Sequence, residues 1–437
     1  MKLKNWGNYP IVDAEVFRPS SALEIEKILH TSQELIPRGL GRSYGDSSLN
    51  SVIVSTEKLN RFCSFDEKTG LLTCESGVSL AEILDTFVSK GWFLPVTPGT
   101  KFVTVGGAIA ADVHGKNHHV AGSFSQHLAS MKVILGNGTS VHCSREIHPE
   151  LFWATCGGMG LTGIIHEASF YLLPIETAYI RQRIIKTKNL SETIAVIEEN
   201  KHWTYSVAWI DCLSQNESMG RSAVILGEHA VKSEIGYRYR NPLLIDKKKT
   251  ISIPFYFPGF VLNRRTVQLF NEIRYKIYRN HDTIVDYEPF FYPLDAVQHW
   301  NRMYGKRGFT QYQCVLPKET SEQGLTALLQ KISASGEGSF LAVLKLFGKQ
   351  EGILSFPKEG FTLALDFPIN SKTMNLFIEL DEIVKKFEGR LYLAKDSRMN
   401  KEMFTSGYRN VTDFLEIKHY YDSGSKFHSL QSKRVME

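Results

Sequence analysis

HGKNHH places His114, Lys116, His118 and His119 within six residues. Two adjacent histidines with a third four positions earlier could ligate zinc. A zinc site needs further N, S or O donors, and no Asp, Glu or Cys completes the set at helical spacing. No metal is therefore expected, and His118 and His119 read as structural. A second candidate is Lys395 in LAKDSR. On the surface it would pair with Asp396. Buried, it would give up its proton more readily and could hold or exchange charge near neutral pH. Cys156 in CGGMGLTG has no base beside it, so it reads as a buried structural thiol. None of the six cysteines forms a CxxC pair, and their scatter suits a reducing compartment.

Glycine supplies the other chemical signal. PRGLGRSYGDSSLN, Pro37 to Asn50, is followed by PVTPGTKFVTVGGAIAADVHGKNHH, GSFSQHL and CGGMGLTGII. A single such stretch is as readily a turn between strands. Four of them in one region suit a long ligand lying extended across several loops, where glycine lets backbone N–H groups come close. The spacing G-x-G-x-x-x-G in GLGRSYG is one residue too long for a Rossmann dinucleotide fingerprint, and no acidic residue follows where that fold needs it. No GK[ST] is present, which excludes a Walker loop.

The elements that must position these residues fall into two textures. Up to about residue 175, short strands and helices alternate around glycine turns. MKVILGNGTSVHCS carries the Asn-Gly signal of a hairpin, and LAEILDTFVSKG reads as a helix ending at Gly91. Beyond Pro174 glycine thins and longer strands appear: YSVAWIDCL, SAVILGEH, FTQYQCVLP, SFLAVLKLFG and FTLALDFPI. With helices between them, these suggest a second α+β domain on one antiparallel sheet. At 437 residues, 43% hydrophobic and 22% charged, the chain is of ordinary globular composition and long enough for two or three domains. A net charge of +5 with no basic stripe gives no reason to expect nucleic acid. The N-terminus lacks a signal-peptide apolar run, and no stretch has the roughly 18 apolar residues that span a bilayer. A cytoplasmic protein is expected. TISIPFYFPGFVLN, Thr250 to Asn263, follows Lys247, Lys248 and Lys249. It reads either as a loop packed on the core or as an apolar lip meeting a lipid surface, with the lysines at anionic head groups.

PRGLGRSYGD, PGTKFVTVGGAIAADVHGKNHH, ELFWATCGGMGLTGII and GRLYLAKDSR together resemble the vanillyl-alcohol-oxidase family of flavoproteins. The similarity runs from about residue 8 to 410 and includes GFTQYQ, SFLAVLKLFG and LALDFPI. It implies an α+β fold: a two-part PCMH-type FAD-binding domain over 1–174, a substrate or cap domain on an antiparallel sheet over 175–385, and a segment, 386–437, returning to the flavin. It also implies FAD, with Arg38, Gly39, Leu40, Gly41 and Arg42, then Ser43, Tyr44, Gly45, Asp46 and Ser47, wrapped around the diphosphate. Gly99, Thr104, Val105, Gly106 and Gly107, and Ala111, Asp112, Val113 and His114, would line the rest of the cofactor. Ile164 or Ile165 would meet the adenine side, and Tyr392 the flavin. Relatives with covalent flavin carry a histidine in the loop that holds Tyr44 here, so non-covalent FAD is expected.

Within the family the likeness is to a branch that oxidises a sugar carried on a polyprenyl phosphate. It implies oxidation of the 2′-hydroxyl of a pentose to a ketone, as the first half of an epimerisation. A soluble aldonolactone or sugar-alcohol oxidase, or a flavin-binding subunit without turnover, are the rival readings. A separate NAD(P)H-dependent short-chain reductase would complete the epimerisation, and a quinone or another acceptor would take the electrons. A peripheral contact at the inner face of the membrane is plausible. Oxidising a secondary alcohol requires a proton acceptor at the hydroxyl and positive charge near the electron-accepting ring. The resemblance puts Lys395, His114 and Tyr44 in these catalytic positions, and Lys116, Gln313, Lys345, Asp366 and Lys395 at the substrate. Two positions depart from the branch: Ala364 stands where a cysteine is found, and Thr362 where an asparagine is.

Overall fold

The computed structural model describes residues 1–236, 241–245, 250–259 and 261–437. Glu15–Phe17, Val52–Ser55 and Ile36–Arg38 form a small parallel sheet, in that order. Parallel neighbours need a crossover, and helix Ala22–Thr31 is part of it, capped by the Ser21 side chain accepting from the Glu24 N–H. Strand Ile36–Arg38 feeds directly into the glycine loop that follows.

A five-stranded antiparallel sheet comes next, in the order Ser140–Ser144, Leu128–Ile134, Ile164–Tyr171, Leu71–Glu75 and Phe62–Asp66. The expected Asn-Gly hairpin joins its first two strands, with Gly138 at φ +87°. Helix Leu80–Phe87, closed by a Ser79–Glu82 capping box, buries Leu80, Ile83, Leu84 and Phe87 in the same core as Leu72, Val133 and Phe170. It runs out through a short 3₁₀ turn to Gly91 at φ +85°, where the sequence places its end.

The second sheet has eight strands, all antiparallel: His281–Asp286, Tyr179–Thr187, Ser222–His229, Tyr205–Ile210, Ala342–Phe347, Gly360–Pro368, Phe309–Pro317 and Arg390–Leu391. Helices Ser321–Ser335 and Ser371–Lys386 pack together beneath strands Gly360–Pro368 and Phe309–Pro317. Tyr312 points into that layer, its hydroxyl donating to Asp381 at 3.0 Å. Side chains alternate along a strand, so Gln311 and Gln313 point the other way. The register sets Gln311 opposite Asp366, Gln313 opposite Ala364, and both Lys345 and Val315 opposite Thr362. Residues paired across strands share a face, so this polar set converges on one side of an otherwise buried sheet.

The chain then returns. Strand Arg390–Leu391 joins the edge of the large sheet, and helix Leu430–Val435 comes back to the first region, the Leu430 N–H donating to the Leu49 carbonyl at 2.8 Å. In the aromatic segment, Arg302 donates to the Ile253 carbonyl at 2.8 Å, while Ile251 and Phe255 project into solvent. Lys247, Lys248, Lys249 and Phe260 lie outside the described residues. Among the described residues no helix is long and apolar enough to cross a membrane.

Candidate functional site

Residues 38–47 form an open cradle. Strand Ile36–Arg38 ends there, and Gly41 turns the chain with φ +61°. The N–H groups of Leu40, Gly41, Arg42 and Ser43 find no acceptor among the described residues. Unpaired main-chain donors around a left-handed glycine are what a backbone nest offers to an anion. The arginines support the turn: Arg38 donates to Asn5 Oδ1 and the Lys4 carbonyl, both at 3.0 Å, and the Arg42 guanidinium lies 4.9 Å above the Trp6 ring. Gly39 and Gly45 allow close contact. A Cβ on Gly39 would come within 2.2 Å of Thr104 Oγ1, and one on Gly45 within 1.7 Å of the Asp396 carbonyl. Gly99 has nothing within 4 Å of its Cβ position, so open space borders it.

Other positions expected at the cofactor have their polar groups committed to the protein. The N–H groups of Val105, Gly106 and Gly107 go to Val78 O, Ser76 O and Thr104 Oγ1, so this segment offers a ligand shape rather than free donors. The Asp112 carboxylate accepts from Ser125 N, Ser125 Oγ, Ser355 Oγ and Gln350 Nε2. Asp46 turns to Arg434 Nη2 at 2.7 Å. Ser47 and Val113 are buried, as are the side chains of Ile164 and Ile165 in the core. Tyr392 stacks on Phe356 at 4.6 Å and donates its hydroxyl to the Ala111 carbonyl.

The large sheet meets this region at His114. Thr362 Oγ1 donates to the Cys314 carbonyl at 2.8 Å and accepts from Gln313 Nε2 at 3.3 Å. The other hydrogen on Gln313 Nε2 points to His114 Nε2 at 3.2 Å. His114 Nε2 is then an acceptor, its proton sits on Nδ1, and Nδ1 faces Lys345 Nζ at 3.1 Å. Following donors to acceptors assigns this tautomer and makes Lys345 a neutral amine. Burial holds His114 well below its usual range, which keeps it a neutral imidazole, and burial brings Lys345 down to about 7.

Lys395 Nζ sits 3.7 Å above the centre of the Tyr44 ring, and the Tyr44 N–H donates to the Ala394 carbonyl, which ties the two loops together. Burial lowers Lys395 to about 8, against the pull of Asp366; burial raises Asp366 to about 7, against a hydrogen bond of 2.6 Å from Gln311 Nε2. Tyr44 is pushed well up by burial and stays a phenol, a donor rather than a base. Lys116, brought down to about 7 by burial, is held further back, donating to the Phe290 carbonyl at 2.6 Å. His118 and His119 are engaged with Gln350 and the Trp203 carbonyl. Among the described residues no cluster of His, Cys, Asp or Glu could hold a metal. Cys156 is buried, and burial drives its thiol far up.

Sequence reasoning missed three contributors. Gln311 lies two residues before Gln313, and strand alternation could have placed it on the same face. Asn5 donates to the Gly45 carbonyl and accepts from Arg38. Arg434 links Asp46 to Asp396, the residue after Lys395, and nothing in the sequence marks it.

Residues 14–144 match the model of an FAD binding domain. A decaprenylphosphoryl-beta-D-ribose oxidase from Mycolicibacterium smegmatis is 38% identical over 449 aligned residues, covering 99% of this chain and 97% of that protein. A putative D-arabinono-1,4-lactone oxidase from Neurospora crassa is 28% identical over 197 residues, 43% of this chain and 35% of the relative. An L-gulonolactone oxidase from Bos taurus is 25% identical over 182 residues, 40% of this chain and 41% of the relative.

Proposed function

This chain belongs to the family of FAD-dependent oxidoreductases that includes decaprenylphosphoryl-beta-D-ribose oxidase, and from that membership we infer that its substrate is a pentose carried on a polyprenyl phosphate. The reaction is oxidation of the 2′-hydroxyl to a 2′-ketone. The observation that carries this reading is coverage. The likeness to the ribose oxidase extends over 99% of the chain, so it takes in the sheet bearing Gln313, Lys345 and Asp366, whereas the lactone oxidases match 40% and 43%.

FAD supplies the acceptor for the hydride that leaves C2′. The cradle fits it: the unspent N–H groups of residues 40–43 suit the diphosphate, and the close approaches at Gly39 and Gly45 leave the loop no bulk of its own there. No histidine replaces Tyr44 in that loop, so the cofactor is held without a covalent bond. At the sugar, the hydroxyl proton passes to the neutral amine of Lys395, whose lowered pKa leaves it unprotonated in a useful fraction near pH 8. Once protonated, Lys395 carries positive charge into the site that has received two electrons. His114 and Gln313 fix the position of Lys345 beside the sugar, and Tyr44 donates a hydrogen bond. Lys116 and Asp366 complete the substrate wall. A separate NAD(P)H-dependent reductase would then reduce the ketone from the other face, and a quinone or similar acceptor would take the electrons.

The test is anaerobic. The purified yellow protein should release its flavin into the supernatant on acid precipitation, and its visible absorbance should bleach on addition of polyprenyl-phosphoryl ribose. Bleaching by aldonolactones but not by the lipid-linked pentose would move the assignment to a lactone oxidase.

A further inference from the structure

Helix Arg264–Ile277 is mounted with its apolar side outward. Its inner face buries Val267 in the core but is otherwise held by polar contacts: buried Asn271 donates to Asp211 at 2.9 Å, Glu272 pairs with Arg221, and the Tyr275 hydroxyl donates to the Thr187 carbonyl. Leu269, Ile273 and Ile277 follow one another at helical spacing and are 61, 50 and 72% exposed, with Phe270 beside them. A helix on a water-facing surface normally shows the opposite arrangement. The same helix carries Arg264, Arg265, Arg274 and Lys276 against a single acid, Glu272.

A row of rings joins this face to the site. Phe270 meets Phe340 at 5.5 Å, Phe340 stacks with Tyr304 at 5.7 Å, Tyr304 stacks with Phe309 at 4.5 Å, and Phe309 meets Tyr44 at 5.0 Å. A second apolar segment flanks the same turn: Ile251 and Phe255, 69 and 61% exposed, are held beside Trp300–Tyr304 by Arg302.

We infer that the outer face of helix Arg264–Ile277 lies in the surface of an anionic lipid bilayer, with Leu269, Ile273 and Ile277 among the acyl chains and the arginines at the head groups. An exposed apolar stripe edged with positive charge is the signature of an interfacial helix. The placement rests on the lipid-linked substrate proposed above: the sugar reaches Tyr44 and Lys395 while its tail stays in the membrane.

The test uses the full FAD-loaded chain and sedimentation with vesicles. The wild type should sediment with vesicles rich in phosphatidylglycerol, less so at high salt, and far less with pure phosphatidylcholine. The variant L269E/I273E/I277E should lose more than about tenfold in vesicle binding. It should keep its FAD and its turnover of a short-chain, water-soluble phosphoryl pentose. Should that variant lose its flavin, R265E decides, because Arg265 is exposed: weaker binding to anionic but not neutral vesicles supports the inference. A wild type that stays in the supernatant, or variants that bind as it does, would overturn it. So would a wild-type dimer that the triple substitution dissolves, since a second copy would then cover the face. If vesicle binding behaves as expected but the lipid-linked pentose is not oxidised, the membrane face stands and the substrate assignment falls.

Discussion

The cradle at residues 38–47 and the polar face of the large sheet solve different problems by different means. The cradle works with main chain: unspent N–H groups, a left-handed glycine and two glycines that admit no side chain. The sheet works with side chains: amines, a carboxylate, an amide and an imidazole on strands and loops that are otherwise buried. A main-chain grip depends on shape and tolerates many flanking residues. A side-chain site depends on solvation, because burial moves Lys345, Lys395 and Asp366 toward neutrality. Damage to the first should release the cofactor; damage to the second should leave it bound but inert.

That contrast can be broken or sharpened by substitution. Lys395→Met should give the largest loss, about 10²–10⁴-fold in the rate of flavin bleaching, with FAD still bound; near-normal bleaching in stopped flow would remove Lys395 from the reaction. Arg434→Ala leaves Asp46 and Asp396 without their shared cation and should cost about 3–5 kcal/mol, read as a lower thermal midpoint together with weaker FAD retention. Gly45→Ala meets the Asp396 carbonyl and should cost about 1–3 kcal/mol with loss of FAD, while the polar face of the sheet keeps its register. Thr362→Val removes the acceptor that orients Gln313 and should slow bleaching by about tenfold without releasing flavin. The smallest effect is a pH slope. Below about 8 Lys395 is protonated, so bleaching should rise with pH toward that value and level off above it. Lys395→Met should flatten that limb.

The two regions also differ in how far the sequence reveals them. The strands in FTQYQCVLP, SFLAVLKLFG and FTLALDFPI were legible as apolar runs, and so was the single antiparallel sheet. Their register was not, because a two-sided buried strand has no amphipathic pattern to fix it. Lys345 and Gln313 were therefore named through family likeness rather than through their shared face. The glycine loop alone read as readily as a turn, and only the four glycine-rich stretches together pointed to an extended ligand, since glycine is a statement about backbone. ADVH gave residue types at the right place, but whether the Asp112 carboxylate faces a cofactor or Ser125 and Ser355 is decided by partners far along the chain. Helix Arg264–Ile277 was not singled out at all: its alternation is ordinary, and only packing shows which side is turned out.

The bond from Arg434 to Asp46 joins residues 388 positions apart. At a synthesis rate of about 5–20 residues per second, the loop would wait about 20–80 s on the ribosome for its clamp. For most of its birth the chain thus holds a glycine cradle with its donors unspent and its final buttress unmade. Firm capture of the flavin should accordingly be a late event, and a message cut short before residue 434 should yield a protein that loads its cofactor poorly even though the whole loop at residues 38–47 has been made.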